Sequence, residues 1–288
     1  MLGNHLLGLY EKALPPEWDW NARLSAAKEL GFDFVELSID ETDRRLARLD
    51  WGRAERRALH QALEDSGMYF QSMCLSAHRR FPFGSAGPAV RERAGEIMEK
   101  ALLFAREFGI RVIQLAGYDV YYEPSTPESR ERFLQGLERA CCLAEKYQVM
   151  LAVEIMDTPL LSSISRYMAF KERLPSPWFL VYPDIGNLTA WGNDVPAELL
   201  LGGRQMVSIH LKDTLAVTAD FPGKFKCVPF GAGCVDFAAA LGQLEALGYR
   251  GPYMLEMWYQ QGQDPKRSVA DARAFLEGQY RKACIPSA

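Results

Sequence analysis

The sequence predicts a (β/α)8 barrel, in which eight parallel strands alternate with eight helices. Short apolar runs rich in β-branched residues alternate with longer segments of helical periodicity. The 288 residues divide into eight such units of about 36 residues each, a length that suits one strand and one helix. No low-complexity segment divides the chain, so we expect a single domain over residues 1–288. An open doubly wound sheet is the alternative, but no Gly-x-Gly-x-x-Gly motif follows a strand.

The predicted strands and helices follow one another along the chain. Gly67 and Gly109 each lie between a predicted helix and a strand, where a residue that tolerates positive φ ends the helix. Thr126 followed by Pro127 is typical of a helix N-cap. We expect strands at 6–10, 34–38, 70–75, 112–116, 150–155, 179–182, 207–211 and 253–257. We expect helices near 20–30, 52–66, 88–108, 127–147, 163–173, 195–201, 237–247 and 268–282.

The composition excludes several classes of protein. Lys and Arg total 33 against 37 Asp and Glu, a net charge of −4, so no excess of cations is available to neutralise nucleic-acid phosphates. The apolar runs are far shorter than the roughly 20 residues that cross a bilayer. The first residues lack the basic and apolar regions of a signal peptide, so we expect a cytoplasmic protein without membrane contact. The six cysteines form no Cys-x-x-Cys pair and are expected to be reduced thiols.

Four side chains that can bind a metal ion stand at the ends of the fifth to eighth predicted strands: Glu154, Asp184, His210 and Glu256. In a (β/α)8 barrel the carboxyl ends of the strands meet at one mouth, where active sites lie. Each residue taken alone also fits a core, capping or ion-pairing role. Burial of four such groups at neighbouring strand ends is unfavourable unless they are paired or bind a cation. Three carboxylates and one imidazole suit Mn²⁺, Mg²⁺, Co²⁺ or Zn²⁺, and the donor set does not select among them.

A segment rich in glycine and proline separates the last two of these residues. It covers residues 214–234, and we expect it to form a lid over the barrel mouth. Glu36 and Asn187 also lie at strand ends and are candidates to contact substrate hydroxyl groups. Trp191, Trp258, Tyr118 and Tyr121 follow strands and are expected either to line a pocket or to pack at the barrel rim.

Several long motifs are distributed over nearly the whole chain. Those before residue 120 are Glu11-Lys-Ala-Leu, Ser38-Ile-Asp-Glu-Thr-Asp, Leu49-Asp-Trp, Ser72-Met-Cys-Leu-Ser-Ala-His-Arg-Arg-Phe-Pro and Ile113-Gln-Leu-Ala-Gly-Tyr-Asp-Val-Tyr-Tyr. Those after it are Val153-Glu-Ile-Met-Asp, Tyr182-Pro-Asp-Ile-Gly-Asn-Leu, His210-Leu-Lys-Asp-Thr, Val228-Pro-Phe-Gly and Leu255-Glu-Met-Trp. These motifs resemble those of the bacterial L-ribulose-5-phosphate 3-epimerases. The family is also described as L-xylulose-5-phosphate 3-epimerases, and some members carry the older label hexulose-6-phosphate isomerase.

The resemblance implies a xylose-isomerase-like barrel, a homodimer and a place in L-ascorbate and related pentose catabolism. It places Glu154, Asp184, His210 and Glu256 at the positions of the family's metal ligands. One divalent ion is implied, Zn²⁺ or Mn²⁺ ahead of Mg²⁺ or Co²⁺, with no nucleotide or flavin. The implied substrate is a ketopentose 5-phosphate, with Glu154 and Glu256 as the two carboxylates that exchange the C3 proton through an enediolate.

A phosphorylated substrate also needs cations or backbone N–H groups away from the metal. His78, Arg79 and Arg80 follow the third strand on the catalytic face, and Lys212 follows His210. We expect phosphate contacts from these four side chains. Solvated loop charges or ion pairs are the ordinary alternative for them.

Three other functions are compatible with such a barrel. An aldose–ketose isomerase uses similar ligands but moves the proton between C1 and C2. A sugar-phosphate-binding module that has lost catalysis is the alternative from a different class, although carboxylates stand at both proposed base positions. A phosphodiesterase of the abasic-site endonuclease type would need more than four histidines and a basic face.

Overall fold

The computed structural model describes residues 1–284, in which ten strands form a barrel and a hairpin. In chain order the strands are Leu7–Tyr10 (β1), Phe34–Ile39 (β2), Phe70–Leu75 (β3), Val112–Leu115 (β4), Met150–Glu154 (β5), Phe179–Tyr182 (β6), Ile209–Leu211 (β7), Asp213–Leu215 (β8), Lys224–Val228 (β9) and Tyr253–Leu255 (β10). Eight of them pair in parallel in the order β6-β5-β4-β3-β2-β1-β10-β7. Strands β8 and β9 pair antiparallel and form a separate hairpin.

The helices lie between the strands and include two short ones. They are Trp20–Glu29 (α1), Asp43–Leu46 (α2), Arg53–Ser66 (α3), Pro88–Glu107 (α4), Pro127–Tyr147 (α5), Ile164–Arg173 (α6), Ile185–Ala190 (α7), Val195–Gly202 (α8), Phe237–Ala246 (α9) and Pro265–Ala283 (α10). Thr126 caps α5 with a capping box, as its sequence predicts. Gly67 and Gly109 have φ of 65° and 69°, which L side chains rarely adopt. No helix among residues 1–284 is long and apolar enough to cross a membrane.

Two backbone bridges close the barrel between its first and last strands in the sheet order. Val181 pairs with Met206, and Asp184 pairs with His210, both in parallel. The backbone N–H of Val207 donates to the carbonyl of Val181 at 3.1 Å. Strands β6 and β7 are therefore neighbours, which brings the ends of β5, β6, β7 and β10 to one side of the mouth.

The architecture confirms the predicted (β/α)8 barrel, and the eight predicted strands all coincide with barrel strands. The segment predicted at 207–211 starts at Ile209, and the one predicted at 253–257 ends at Leu255, because the regular ladder covers only three residues of each. The sequence did not predict α2, α7 or the hairpin. The two helices are too short for a recognisable periodicity, and they depend on the caps Thr42 and Asp184.

The main hydrophobic core fills the layer between the barrel and the helices. It includes strand residues such as Leu37 and Val153 and helix residues such as Leu59 and Leu137. The barrel interior near the mouth is polar, because side chains from several strands hydrogen-bond across it. The prediction of a single domain over 1–288 includes residues outside the described range and stays a prediction. The lid role of residues 214–234 also stays a prediction.

Candidate metal and active site

Glu154, Asp184, His210 and Glu256 meet at the barrel mouth, as the sequence predicts for a shared site. Each offers one ligand atom, and these atoms all lie within 4.8 Å of one another. All four side chains are buried. Glu154 is the last residue of β5. Asp184 lies just beyond the end of β6, and Glu256 directly follows β10. We call these four residues the acidic cluster.

Backbone pairing between neighbouring strands holds the cluster together. The N–H of His210 donates to the carbonyl of Pro183 at 2.9 Å, and the N–H of Glu256 donates to the carbonyl of Leu211 at 3.0 Å. Asp184 also caps α7, since its Oδ1 accepts from the N–H of Asn187 at 2.8 Å. The position of each side chain is therefore set by the barrel and not by a mobile loop.

His210 directs one ring nitrogen at the three carboxylates of the cluster. Its Nδ1 lies 3.0 Å from Glu154, 3.5 Å from Glu256 and 3.7 Å from Asp184. Burial alone would lower the pKa of His210, but Glu256 and other nearby negative groups raise it well above its usual value. The imidazole is thus surrounded by negative charge on the side where a cation would bind.

The carboxylates of the cluster are in unequal environments. Burial, together with the Glu154 and Asp184 carboxylates, raises the pKa of Glu256 to about 7 against the opposing effect of Lys212 and His210. Burial alone would also raise the pKa of Asp184, but the Lys212 ammonium and His210 lower it to about 2. Lys212 Nζ lies 2.8 Å from Asp184 Oδ2 and 3.1 Å from Glu256 Oε2 and opposes burial at both, whereas only at Glu256 do two neighbouring carboxylates add to the effect of burial on the pKa.

Two carboxylate oxygens of the cluster show that the residues fit a bound cation. Asp184 Oδ2 and Glu256 Oε2 are buried and accept no hydrogen bond from the described residues. Lys212 Nζ lies within ion-pair distance of both oxygens. Buried acceptors without hydrogen bonds are rare in folded proteins, and a metal ion is one partner that satisfies them. Three carboxylate oxygens and an imidazole nitrogen form a donor set suited to a divalent cation.

Glu36 lies below the cluster and does not line the pocket at the mouth. Its Oε1 is 3.0 Å from His210 Nε2, and its Oε2 accepts from Ser72 Oγ at 2.5 Å and from the Tyr182 hydroxyl at 3.1 Å. The structure places the Glu36 carboxylate against His210, and its contact with substrate hydroxyls stays a prediction. A carboxylate on Nε2 fixes the ring with Nδ1 towards the cluster, as partners of metal-binding histidines commonly do.

Gln114 and Asn187 lie on either side of the cluster. Gln114 Nε2 donates to Glu154 Oε2, which fixes the orientation of that carboxylate. Asn187 Nδ2 donates to the carbonyl of Ile155 at 2.7 Å, and its buried Oδ1 has no partner among the described residues. Asn187 lines the same pocket as Glu154 and Glu256, in line with its predicted contact with a hydroxyl group. The sequence did not predict the role of Gln114, although it is a polar residue in an otherwise apolar strand.

The structure separates the four predicted phosphate-binding residues. Arg79 lines the pocket with Glu154 and Glu256. His78 instead packs on Phe83 with its Nε2 3.2 Å from the carbonyl of Ala94, and burial lowers its pKa to about 4, so it is uncharged at neutral pH. Arg80 is half-exposed and pairs with Asp43 at 2.6 Å.

Lys212 lines the pocket but its ammonium group is occupied by the acidic cluster. Of the four, Arg79 therefore lines the pocket as predicted. It forms no ion pair with a carboxylate in the part of the chain that the structure describes. Two further cations line the same pocket and were not predicted: Lys12, paired with Asp40 at 2.7 Å, and Lys226. The alternating sequence of 224–228 is a signal that could have identified the strand that carries Lys226.

The β8–β9 hairpin occupies the segment predicted as a lid. Asp213 anchors its base, since this buried carboxylate accepts from the backbone N–H groups of Gly231 and Gly233 at 2.8 and 2.9 Å. Phe225 of β9 packs on Trp191 with the ring centroids 5.9 Å apart. Trp258 lines the pocket, whereas Trp191 packs at the rim with its Nε1 3.1 Å from the carbonyl of Met156.

Comparisons with known proteins agree with this geometry. A family model of the xylose isomerase-like TIM barrel matches residues 24–279. A protein of Escherichia coli strain K12, provisionally named L-ribulose-5-phosphate 3-epimerase SgbU, is 56% identical over 97% of this chain and 98% of its own. L-ribulose-5-phosphate 3-epimerase UlaE of Escherichia coli O157:H7 strain EC4115 is 53% identical over 96% of this chain and 95% of its own.

Solved structures share the fold at lower identity. The crystal structure of D-psicose 3-epimerase with D-tagatose, from Clostridium cellulolyticum H10, has a TM-score of 0.79 at 14% identity and covers 95% of this chain and 99% of its own. At that identity the likeness supports the fold alone. The family model and the two relatives extend over nearly the whole chain and confirm the resemblance seen in the motifs. The chain belongs to the L-ribulose-5-phosphate 3-epimerase family of xylose isomerase-like TIM barrels, which are isomerases.

Proposed function

We propose that this protein is a metal-dependent epimerase that inverts C3 of a ketopentose 5-phosphate, with L-ribulose 5-phosphate and L-xylulose 5-phosphate as the two partners. The observation that carries the proposal is the acidic cluster, in which Glu154 and Glu256 line one pocket and lie 3.0 and 3.5 Å from His210 Nδ1. The names of the relatives support the choice of substrate. Zn²⁺ or Mn²⁺ is the expected cation, ahead of Mg²⁺ or Co²⁺. The homodimer also stays a prediction.

The reaction requires removal of the proton from C3, next to the C2 carbonyl, and return of a proton to the opposite face. The electron pair left by the C–H bond passes to the carbonyl oxygen, so the barrier is the charge of the enediolate. A divalent cation held by Glu154, Asp184, His210 and Glu256 would supply Lewis-acid stabilisation of that charge. No redox cofactor is needed, because C3 has the same oxidation state before and after.

The chain's own residues supply the proton transfers. One of Glu154 and Glu256 accepts the C3 proton and the other donates a proton to the opposite face, and their roles exchange with the direction of the reaction. Gln114 holds Glu154 through Oε2, which leaves Oε1 on the side of the cluster. The free Oδ1 of Asn187 accepts a hydrogen bond from a substrate hydroxyl group, which orients the sugar.

Proton exchange in D₂O tests this proposal. Metal-loaded protein is incubated with L-ribulose 5-phosphate, and products and deuterium positions are read by NMR. We expect L-xylulose 5-phosphate, with deuterium at C3 alone. Deuterium at C1 with an aldose product would indicate an aldose–ketose isomerase. Tight binding of the sugar without any exchange would indicate a binding module.

A further inference from the structure

Lys212 brings a positive charge against the acidic cluster from the end of β7. It directly follows that strand and is buried, and its Nζ lies 2.8 Å from Asp184 Oδ2 and 3.1 Å from Glu256 Oε2. The same two oxygens lie 3.7 and 3.5 Å from His210 Nδ1. The ammonium group and the imidazole nitrogen therefore face the same two carboxylate oxygens.

The packing around Lys212 keeps its side chain directed at these oxygens. A Cβ atom at position 186 would lie 2.8 Å from Lys212 Cγ and 2.7 Å from the Lys212 carbonyl oxygen, so Gly186 allows α7 to approach this closely. The ring centroid of Trp258 lies 5.8 Å from Nζ, within the range of a cation–π contact. The position of the ammonium group is thus set by buried neighbours and not by a solvated, flexible side chain.

A cation bound by the acidic cluster would need the oxygens that Lys212 contacts. Asp184 Oδ1 accepts from the N–H of Asn187 at 2.8 Å as the cap of α7, so Oδ2 is the oxygen that Asp184 can offer to a cation. Two positive charges that share buried acceptors repel each other strongly, because little water screens them. The ammonium group and a divalent cation therefore compete for Asp184 and Glu256.

The fold also needs the charge of Lys212. Three carboxylates lie together in the acidic cluster, and burial of unpaired charges is unfavourable. Removing one partner of a buried ion pair is strongly destabilising, since the other charge stays buried without compensation. Lys212 offsets part of the negative charge through its contacts with Asp184 and Glu256. The chain thus carries within itself part of the charge compensation that a divalent cation would provide.

We propose that Lys212 is an internal counter-cation, which stabilises the acidic cluster until a metal ion displaces it from Asp184 and Glu256. The inference rests on the proposed function, since it concerns the cation of that site. It has two consequences of opposite sign for Lys212→Met. Loss of the ammonium group destabilises the metal-free fold but strengthens metal binding, because the competitor is removed. A residue that only supported the metal ligands would weaken metal binding when it is replaced.

Titration of chelator-treated protein with Mn²⁺ measures both consequences. We expect Lys212→Met to bind Mn²⁺ about 10- to 100-fold more tightly than the wild type. Its unfolding temperature without metal should be lower by about 5–10 °C, and Mn²⁺ should raise it by more than it raises that of the wild type. Lys12→Met is the matched control, since Lys12 lines the same pocket but pairs with Asp40 at 2.7 Å instead of with the acidic cluster. Its Mn²⁺ affinity should stay close to the wild-type value.

Equal or weaker Mn²⁺ binding by Lys212→Met would overturn the proposal, and so would an unchanged unfolding temperature of the metal-free variant. If Lys212→Met does not fold without metal, it is refolded with and without Mn²⁺. Recovery only with Mn²⁺ supports the exchange of the two cations, and recovery in neither condition overturns it. If neither the wild type nor the variant binds Mn²⁺ or Zn²⁺, the proposed metal dependence fails. The unfolding temperatures of the metal-free proteins then still decide whether Lys212 is the counter-cation.

Discussion

Two buried groups of charged side chains follow barrel strands, and they differ in how their charges are balanced. One is the acidic cluster. The other, which we call the arginine cluster, surrounds Glu11 directly after β1 and contains Arg23, Arg45 and Arg48. It has one fully buried carboxylate and three guanidinium groups, so cations are in excess. The acidic cluster has three carboxylates and one imidazole, with Lys212 beside them.

Every carboxylate oxygen of the arginine cluster is satisfied by protein donors. Glu11 Oε1 accepts from Arg23 and Arg45 at 3.1 and 3.0 Å. Its Oε2 accepts from Arg48 at 2.7 Å and from the backbone N–H of Ser38 at 2.9 Å. Arg23 Nη2, which does not contact Glu11, donates to the carbonyl groups of Pro15 and Pro16 in the loop after β1. This arrangement is complete and ties that loop to β2.

In the acidic cluster, by contrast, not every carboxylate oxygen accepts a hydrogen bond. Asp184 Oδ2 and Glu256 Oε2 have no hydrogen-bond partner in the described residues, although both are buried. A buried carboxylate is therefore not by itself a sign of function. The excess of negative charge and the unsatisfied oxygens distinguish a cation site from a structural ion-pair network.

Removing a proposed acid/base group has the largest expected effect. We expect Glu154→Gln and Glu256→Gln each to lower kcat by about 10²- to 10⁴-fold, because a glutamine cannot exchange the C3 proton. C3 deuterium exchange and product formation are measured in the same sample. Glu138→Gln, on the exposed face of α5, is the matched control. Near-normal exchange in both site variants would exclude the two-carboxylate scheme.

The arginine cluster is expected to affect stability and not chemistry. Glu11→Gln leaves the buried Arg23 and Arg48 without their counter-ion and Arg45 with Asp40 alone, which costs about 3–5 kcal/mol of unfolding free energy. Urea denaturation at neutral pH measures this loss. C3 exchange per folded molecule should stay close to the wild-type value. A fully stable Glu11→Gln protein would show that the carbonyl contacts of the arginines suffice.

The stability contribution of Glu11 should depend on pH. Burial would raise its pKa, but Arg48, Arg23 and Arg45 lower it to about 2, below the value of about 4.3 expected in the unfolded chain. A depressed pKa stabilises the fold above the unfolded value, and the contribution of about 3 kcal/mol is lost as the pH falls towards 2. The difference in unfolding free energy between wild type and Glu11→Gln should therefore shrink between pH 5 and pH 3. A constant difference would contradict the ion-pair origin.

The smallest expected effect is on metal affinity and concerns Glu36, which contacts His210 of the acidic cluster. Glu36→Gln removes the charge that faces His210 Nε2, so we expect metal affinity to fall by about 10- to 100-fold. Competition with a chromophoric chelator measures the affinity. The chain has only four histidines, so NMR of the imidazole nitrogens can follow His210 directly. Tyr182→Phe removes one hydrogen bond to Glu36 and should give a weaker loss. Unchanged affinity in both variants would restrict Glu36 to a packing role.

The sequence predicted the barrel and the acidic cluster because both follow from a regular pattern. Alternation of strands and helices determines the fold class, and a polar residue at the end of an apolar strand projects to the mouth. The resemblance in the motifs added the substrate and the roles of Glu154 and Glu256. The pattern could not predict which way a loop residue points. His78 faces the helix layer and Arg79 the pocket, although they are neighbours in one short turn.

The sequence also could not predict contacts between segments that are far apart in the chain. Glu36 and His210 are 174 residues apart in sequence, and only closure of the barrel brings them together. Lys226 lies in a hairpin that has no counterpart in the repeating βα unit. Local periodicity can place such residues on a strand, but it does not show which distant segments they contact.

Metal titration of chelator-treated protein tests most directly whether the acidic cluster is a cation site. Mn²⁺ is added, and the number of bound ions and the unfolding temperature are measured for the wild type, Glu256→Gln and Glu11→Gln. We predict one ion per chain and a rise in unfolding temperature for the wild type and Glu11→Gln, and much weaker binding for Glu256→Gln. Equal binding by Glu256→Gln, or no binding by the wild type with Mn²⁺ or Zn²⁺, would contradict the assignment.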